Sequence, residues 1–272
     1  MRILFTDLDG TLLHSHTYSS EPAAPALLLL KQLGIPLIFC TSKTRAEVEL
    51  WRERLGIDDP FVVENGGAVY VPRGYFSFKV PNSSHRDGYD VIELGTPYAM
   101  LVETLRLAAE ESGCEVLGFN RMSLADIAIR TQLPVAQAAL AKQREFDEPF
   151  EVIGTGAYRL LEAIERRGLR WTRGDRFYHI TGENTKAQAV RLLASLYLKA
   201  AGGKLTTIGA GNAHNDAEFL KACDIPIIIQ SRYAAALKKA VPHGIVTASP
   251  GPHGWNEGVL GAVSGLPAAK LA

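Results

Sequence analysis

The chain has 272 residues, 47% of them hydrophobic and 21% charged, with 29 basic side chains against 29 acidic ones. That length suits two domains, or one domain carrying a large insertion, and it buries an ample core without disulfide or metal staples. The charge balance argues against nucleic acid or an anionic membrane as partner, and the longest apolar run, residues 23–30, contains Pro25 and falls far short of the roughly 20 residues that cross a bilayer.

The first five residues after Met1 form a short apolar run stopped by Asp7-Leu8-Asp9-Gly10-Thr11, the pattern of a buried parallel strand ending in a polar turn. A helix is expected over 22–33, stopped by Gly34, then a buried strand over 35–40 ending in Thr41-Ser42-Lys43-Thr44-Arg45. A helix over 46–55 with Gly56 past its end, a strand over 61–63 and a hairpin strand over 68–71 follow. Residues 72–88, rich in Pro, Gly, Ser and Asn, read as a linker. Beyond it lie a strand (89–94), a helix (98–112), a strand (115–119) and two short helices (123–131 and 134–142), with Ser123 and Asp126 resembling a capping box. A strand over 150–153, a helix over 157–167 and strands near 169–173 and 176–181 complete an α+β module. The parallel pattern then resumes with a helix (185–199), a strand (205–208), a loop (209–216), a helix (217–223) and a strand (225–229). Residues 250–254 read as loop before a last helix. The expected fold is α/β: a doubly wound, Rossmann-like parallel-sheet core (1–82 and 183–272) with an inserted α+β cap (83–182).

Met1 and Arg2 precede too short an apolar stretch for a secretory leader, and Cys40, Cys114 and Cys223 are odd in number and widely spaced, as buried thiols are in a reducing compartment. A cytoplasmic protein is expected.

Asp7 and Asp9 carry the strongest chemical signal. Two carboxylates two residues apart, just past a buried strand, project to one side at the carboxyl edge of the sheet, where open α/β sheets bind ligands. One can attack as a nucleophile while the other passes protons and its backbone carbonyl holds a cation. Thr41 and its neighbours offer hydroxyls and backbone donors for a phosphate oxygen, or a simple N-cap. Lys186 can neutralise a carboxylate and a phosphoryl oxygen together; alone it reads as a surface lysine. Asn212, Asn215 and Asp216 offer hard oxygen donors for a cation, or a turn with an Asp cap. His14 and His16 lack a third ligand and read as surface. Gly209 and Gly211 only imitate a dinucleotide fingerprint, because His214 stands where the third glycine belongs.

Taken together, the four stretches resemble the haloacid dehalogenase superfamily of phosphotransferases: Asp7-x-Asp9-Gly10-Thr11, Thr41, Lys186 and the loop 211–216. The position of the insert is similar to that of the Cof-type branch. Within that branch, Thr41-Ser42-Lys43-Thr44-Arg45, Val63-Glu64-Asn65-Gly66-Gly67, Arg144-Glu145-Phe146-Asp147-Glu148-Pro149 and Arg176-Phe177-Tyr178-His179 resemble the mannosyl-3-phosphoglycerate phosphatase family over nearly the whole chain. The resemblance implies a Mg²⁺-dependent phosphatase acting on a small phosphorylated sugar derivative. In it Asp7 is the nucleophile, Asp9 the acid and base, and Thr41 and Lys186 hold the phosphoryl group. Asp7, Asp9, Asn212 and Asp216 are its expected metal site. Its substrate residues would be Ser42, Lys43, Arg45, Asn65, Gly66, Gly67, Arg176, His179 and Asn215. One position departs from the family: the loop carries Asn212 where an Asp metal ligand is usual, so metal affinity should fall or Asp216 must compensate. A broader sugar-phosphate phosphatase and a weakly catalytic binder of phosphorylated ligands are the competing readings.

Overall fold

The computed structural model describes residues 1–174 and 176–264; residues 265–272, expected to belong to the core, lie outside the described residues. In chain order the elements are β1 (Arg2–Thr6), α1 (Ala24–Gln32), β2 (Leu37–Phe39), α2 (Arg45–Leu55), β3 (Phe61–Val63), β4 (Ala68–Pro72), β5 (Ser84–Arg86) and β6 (Tyr89–Glu93). They continue with α3 (Tyr98–Ser112), β7 (Glu115–Gly118), α4 (Leu124–Thr131), α5 (Val135–Ala141), β8 (Asp147–Ile153), α6 (Ala157–Arg166), β9 (Arg170–Arg173) and β10 (Tyr178–Thr181). The last group is α7 (Lys186–Ala201), β11 (Thr206–Gly211), α8 (Ala217–Lys221), β12 (Ile225–Gln230), α9 (Ala234–Ala240), β13 (Ile245–Pro250) and α10 (Gly251–Ser264).

The core is a five-stranded parallel sheet in the order β13-β12-β11-β1-β2, and β3 joins its edge through a Cys40–Val62 bridge. β1 sits inside this sheet because both of its faces are apolar. Leu4 packs into one hydrophobic cluster with α1 and α10, while Ile3 and Phe5 pack into the opposite one with α7 and α8. The cap is an antiparallel sheet, β7-β8-β10-β9, covered by α3 and α6 through Leu101, Leu105, Leu160 and Ile164. A second cap cluster, centred on Phe119, Ile127 and Phe177, seats the α4/α5 pair. Helix ends follow the local chemistry. Thr44 and Glu47 form a full capping box on α2, Ser123 and Asp126 form another on α4, and Gly56 and Gly113 close α2 and α3 in the left-handed region.

Two expectations are corrected. The stretch 72–88 is not a plain linker: β5 forms within it and pairs with β6, which pairs with β4, giving an antiparallel sheet β3-β4-β6-β5. The strand expected to open the inserted module is therefore built onto the hairpin that precedes it. At the other end, residues 245–250 form an edge strand that the sequence did not signal, and the Gly/Pro-rich segment after it is helix from Gly251 onward.

Glycine stands at 254 and 258 because the helix lies against the sheet with no room for side chains there. A methyl group on Gly254 would come 1.9 Å from the Ser249 carbonyl oxygen, and one on Gly258 would come 2.4 Å from Ile227 Cγ2. Pro252 is tolerated because the first helical turn has no amide to lose. Close approach seats Trp255, fully buried, where its Nε1–H donates to Thr6 Oγ1 at 2.9 Å, beside the end of β1. Gly254→Ala is expected to cost about 1–3 kcal/mol by overpacking, whereas Gly203→Ala, where the nearest atom is 3.9 Å away, should be neutral within about 0.5 kcal/mol. Urea midpoints of the two variants check this; equal midpoints would mean that α10 adjusts freely.

Candidate active site

β1 and β11 end side by side, and the groups expected to carry chemistry sit at their carboxyl ends. Lys186, the first residue of α7, lies 3% exposed between Asp7 Oδ1 and Asp216 Oδ1, with Nζ 2.8 Å from each. Gly66 permits this placement. Its φ of +91° favours glycine, and a Cβ there would lie 2.3 Å from the Thr185 carbonyl oxygen. Asp7 faces the cavity with its second oxygen, Oδ2, which Thr11 Oγ1 approaches at 3.5 Å; Thr11 Oγ1 also donates to Asn212 Oδ1 at 3.0 Å. Asp9 is held from the other side by Lys43, with Nζ 2.9 Å from its Oδ2 and 3.3 Å from Glu47 Oε1.

The electrostatics follow from this packing. Burial pushes the Asp7 carboxyl up to about 7; Lys186 opposes the shift, and Asp216 and Asp9 add to it. Burial disfavours the Lys186 and Lys43 ammoniums, but Asp216 and Asp7 outweigh it at Lys186, and Asp9 and Glu47 at Lys43. Both lysines are thereby held above the ordinary lysine range.

The cap closes over these groups. A cavity runs between the two parts, lined on the core side by Asp7, Asp9, Ser42, Lys43, Asn212 and Asn215 and on the cap side by Phe119, Arg144, Arg176, Phe177 and His179. Polar contacts at the rim help to hold the lid down. Arg144 Nη1 donates to Ser42 O at 2.7 Å, Thr44 Oγ1 donates to Leu140 O at 2.9 Å, and Arg176 Nη2 donates to Ser15 O at 2.5 Å. Arg176 Nη1 also donates to Thr131 O and to Tyr18 Oη.

Several expected residues fall elsewhere. Arg45 does not reach the cavity; as the first residue of α2 it turns outward to Asp87 at 2.7 Å and Glu49 at 3.7 Å. Gly66 and Gly67 do not line it either. They serve close packing, Gly66 against the start of α7 and Gly67 against Phe146. Thr41 is buried behind Ser42 and Lys43, its Oγ1 accepting from Lys43 N at 3.3 Å. Asp216, expected among the metal ligands, is fully buried and spends Oδ1 on Lys186 and Oδ2 on the amides of Asn212 and Ala213, both at 2.9 Å. It shapes the loop and orients the lysine instead. Asn65 lines a second recess with Asn184, Lys186 and Arg170. Asp147 and Tyr18 were missed. Asp147 stood within a quoted motif, but nothing in the sequence marked it as buried against His179 and Asn65.

The donors left for a metal are oxygens: Asp7 Oδ2, Asn212 Oδ1 and Asp9, whose buried Oδ1 has no partner. An all-oxygen donor set fits a hard divalent cation such as Mg²⁺. Among the described residues no cluster of three His, Cys, Asp or Glu side chains is arranged to hold a metal.

This arrangement, a carboxylate pair at the end of the first strand under an inserted cap, defines a phosphatase of the haloacid dehalogenase type. Residues 4–86 match the family model described as haloacid dehalogenase-like hydrolase. The chain is 40% identical to a glucosyl-3-phosphoglycerate/mannosyl-3-phosphoglycerate phosphatase of Methanococcoides burtonii, over 95% of this chain and 96% of that protein. It is 35% identical to a mannosyl-3-phosphoglycerate phosphatase of Pyrococcus furiosus, over 84% and 91% respectively. The chain belongs to the mannosyl-3-phosphoglycerate phosphatase family of these hydrolases and is a phosphoric monoester hydrolase. The fold is also that of a phosphatase from Bacteroides thetaiotaomicron (TM-score 0.66, 20% identity, 97% and 94% covered). A sucrose-phosphatase from Synechocystis shares it as well (TM-score 0.61, 13% identity, 97% and 98% covered).

Lys186→Met is expected to lower kcat by about a hundred-fold or more, since a preorganised positive charge is lost. It should also move the acid limb of the pH–rate profile upward. Lys186 holds the Asp7 pKa down, so without it the ionised carboxylate appears only at higher pH. A pH profile of residual turnover checks the sign; an unmoved limb would separate Lys186 from the ionisation of Asp7.

Proposed function

We propose that the protein is a Mg²⁺-dependent phosphatase that hydrolyses a glycosyl-3-phosphoglycerate, with mannosyl or glucosyl as the sugar, through an aspartyl-phosphate on Asp7. The observation that carries the chemistry is the asymmetric setting of Asp7. One oxygen is clamped by Lys186, while the other faces a cavity that also contains Asp9. The substrate class rests on the relatives, whose printed names specify glucosyl- and mannosyl-3-phosphoglycerate.

Asp7 Oδ2 forms the bond to phosphorus as the bond to the leaving alcohol oxygen breaks, and Asp9 gives that oxygen a proton. Asp9, now a carboxylate, takes a proton from water as the water attacks phosphorus and the bond to Asp7 breaks, releasing phosphate. Lys186 and Lys43 hold these two carboxylates apart and oriented throughout. The Asp7 carboxylate, the Asp9 backbone carbonyl and the Asn212 carboxamide would hold the cation, which when bound offsets charge on the transferring phosphoryl group. The cap, closed over bound substrate, keeps bulk water from the reacting groups. No helix among the described residues is long and apolar enough to cross a membrane, and all three cysteines are buried free thiols. A cytoplasmic setting and a small phosphorylated sugar derivative as substrate belong to the same reading.

Asp7→Asn is expected to fold normally and release no phosphate from glucosyl- or mannosyl-3-phosphoglycerate in the presence of Mg²⁺. Substantial turnover by that variant would remove the covalent mechanism. Equal wild-type efficiency on simple hexose phosphates would favour the broader sugar-phosphate reading.

Asn212→Asp is expected to lower the Mg²⁺ concentration giving half-maximal rate, because an anionic ligand attracts a hard dication more strongly than an amide does. A Mg²⁺ titration that leaves the requirement unchanged would show that the cation is held without residue 212.

A further inference from the structure

His179, Asp147, Asn65 and Asn215 come from four segments of the chain, two in the cap and two in the core, and form one continuous hydrogen-bonded row. His179 Nδ1 lies 2.8 Å from Asp147 Oδ1, Asn65 Nδ2 donates to Asp147 Oδ2 at 2.6 Å, and Asn215 Nδ2 donates to Asn65 Oδ1 at 3.1 Å. Asp147 is wholly buried. Burial works against its charge, but His179, Arg144 and Asn65 outweigh it and hold the carboxyl below the usual range, so it is an acceptor only.

That single property dictates the rest of the row. An acceptor at Oδ1 requires His179 Nδ1 to carry a hydrogen, which fixes the ring and directs Nε2 away from Asp147. An acceptor at Oδ2 requires the Asn65 amide to present its NH₂, which turns the Asn65 oxygen toward Asn215. Asn215 must answer with its own NH₂, so its oxygen is left over. Two polar atoms are left over. Asn215 Oδ1 is buried without a partner, and Nε2 stands beside Gly174, where even a methyl group would come to 3.2 Å. His179, Asn215 and Gly174 all line the catalytic cavity.

We propose that Asp147 is a positioning residue for substrate recognition: through His179 on one side and Asn65 and Asn215 on the other, it fixes two polar atoms at the cavity, His179 Nε2 and Asn215 Oδ1, that hydrogen-bond hydroxyls of the neutral, polyhydroxylated part of the substrate. This rests on the glycosyl-phosphoglycerate reading above and names the groups that would distinguish a sugar-bearing substrate from a bare phosphate ester. A buried acceptor left unpaired is costly, and a hydroxyl that satisfies it restores the loss, so the row selects ligands by the hydroxyls they bring.

The test is steady-state kinetics of the Mg²⁺-loaded protein on glucosyl-3-phosphoglycerate and on p-nitrophenyl phosphate, which has no sugar hydroxyls. In Asp147→Asn the carboxamide can donate as well as accept, so the orientations of residues 65, 179 and 215 are no longer dictated. We expect KM for the glycosyl substrate to rise about ten-fold or more, with kcat reduced less than about three-fold, and the preference for it over p-nitrophenyl phosphate to fall by about the same ten-fold factor. Adding Asn215→Ala to Asp147→Asn should raise KM by less than about three-fold further, whereas Asn215→Ala alone should raise it by more. If Asp147→Asn does not fold, as judged by circular dichroism, Asn215→Ala and His179→Ala carry the test, each expected to raise KM selectively for the glycosyl substrate. A variant set that impairs both substrates equally, or neither, overturns the positioning role alone. A wild-type protein that shows no preference for the glycosyl substrate overturns the substrate reading, and this inference with it.

Discussion

The ammonium of Lys186, locked between two carboxylates in the dry interior, is the interaction on which the catalytic end of the molecule depends. A lysine 3% exposed between Asp7 and Asp216 is worth its desolvation only if both contacts are tight and the remaining oxygens are satisfied. At Asp216 they are: two backbone amides complete its coordination, which ties the β11 loop to the start of α7. At Asp7 the second oxygen has only a long contact from Thr11 Oγ1, at 3.5 Å, and the residue lines the cavity. The triad therefore stabilises the fold on one side and leaves reactive charge on the other. Gly66 and the close approach of Thr185 are part of the same device, because without them α7 could not begin where its first side chain reaches both acids.

A second buried carboxylate joins the core to the cap. Glu64 stands at the end of β3 with φ of +48°, followed by Asn65 at +55°, both left-handed without being glycine. Its side chain accepts from the backbone amides of Glu145 and Phe146, at 3.1 Å and 2.8 Å, just before β8 of the cap. Burial pushes its carboxyl up to about 8, against Arg144 and those amides. Strain of this kind persists only where the surroundings over-determine it. Here the strained turn aims Glu64 at the cap and, one residue later, Asn65 at Asp147. The seating of the cap and the orientation of the polar row are consequences of one backbone conformation.

The reactive centre was legible in the sequence because its determinants are local: a buried apolar run predicts the strand, and Asp7-Leu8-Asp9-Gly10 predicts what its end presents. Elements whose logic is tertiary were harder to read. Gly251 and Gly254 read as loop by composition, yet both lie in α10; at Gly254, as at Gly258 further along, Ile227, Thr247 and Ser249 leave no space for a side chain. Arg45, Gly66 and Gly67 adjoin residues that matter, but adjacency along the chain did not bring them to the cavity: one points to Asp87 and two serve packing. Asp147 was missed for the opposite reason. Its partners lie 82 residues before it and 32 after it, and only folding brings them together.

Arg176 shows how the two halves of the site are coupled. A guanidinium is well suited to a carboxylate, which it can bind through two parallel hydrogen bonds, and Arg176 lines the cavity. In the closed arrangement, however, its donors are engaged by Ser15 O, Thr131 O and Tyr18 Oη, so the side chain works as a strap from cap to core. Arg144, the other cap-side cation, is engaged by Ser42 O and Ala141 O and stands 3.8 Å from Asp147. A carboxylate can therefore be read by Arg176 only in exchange for contacts that hold the lid. Charge–charge hydrogen bonds are stronger than those to neutral carbonyls, so the exchange favours an anionic ligand and rejects a neutral one. Recognition of the distal anion and seating of the cap thereby draw on the same donors.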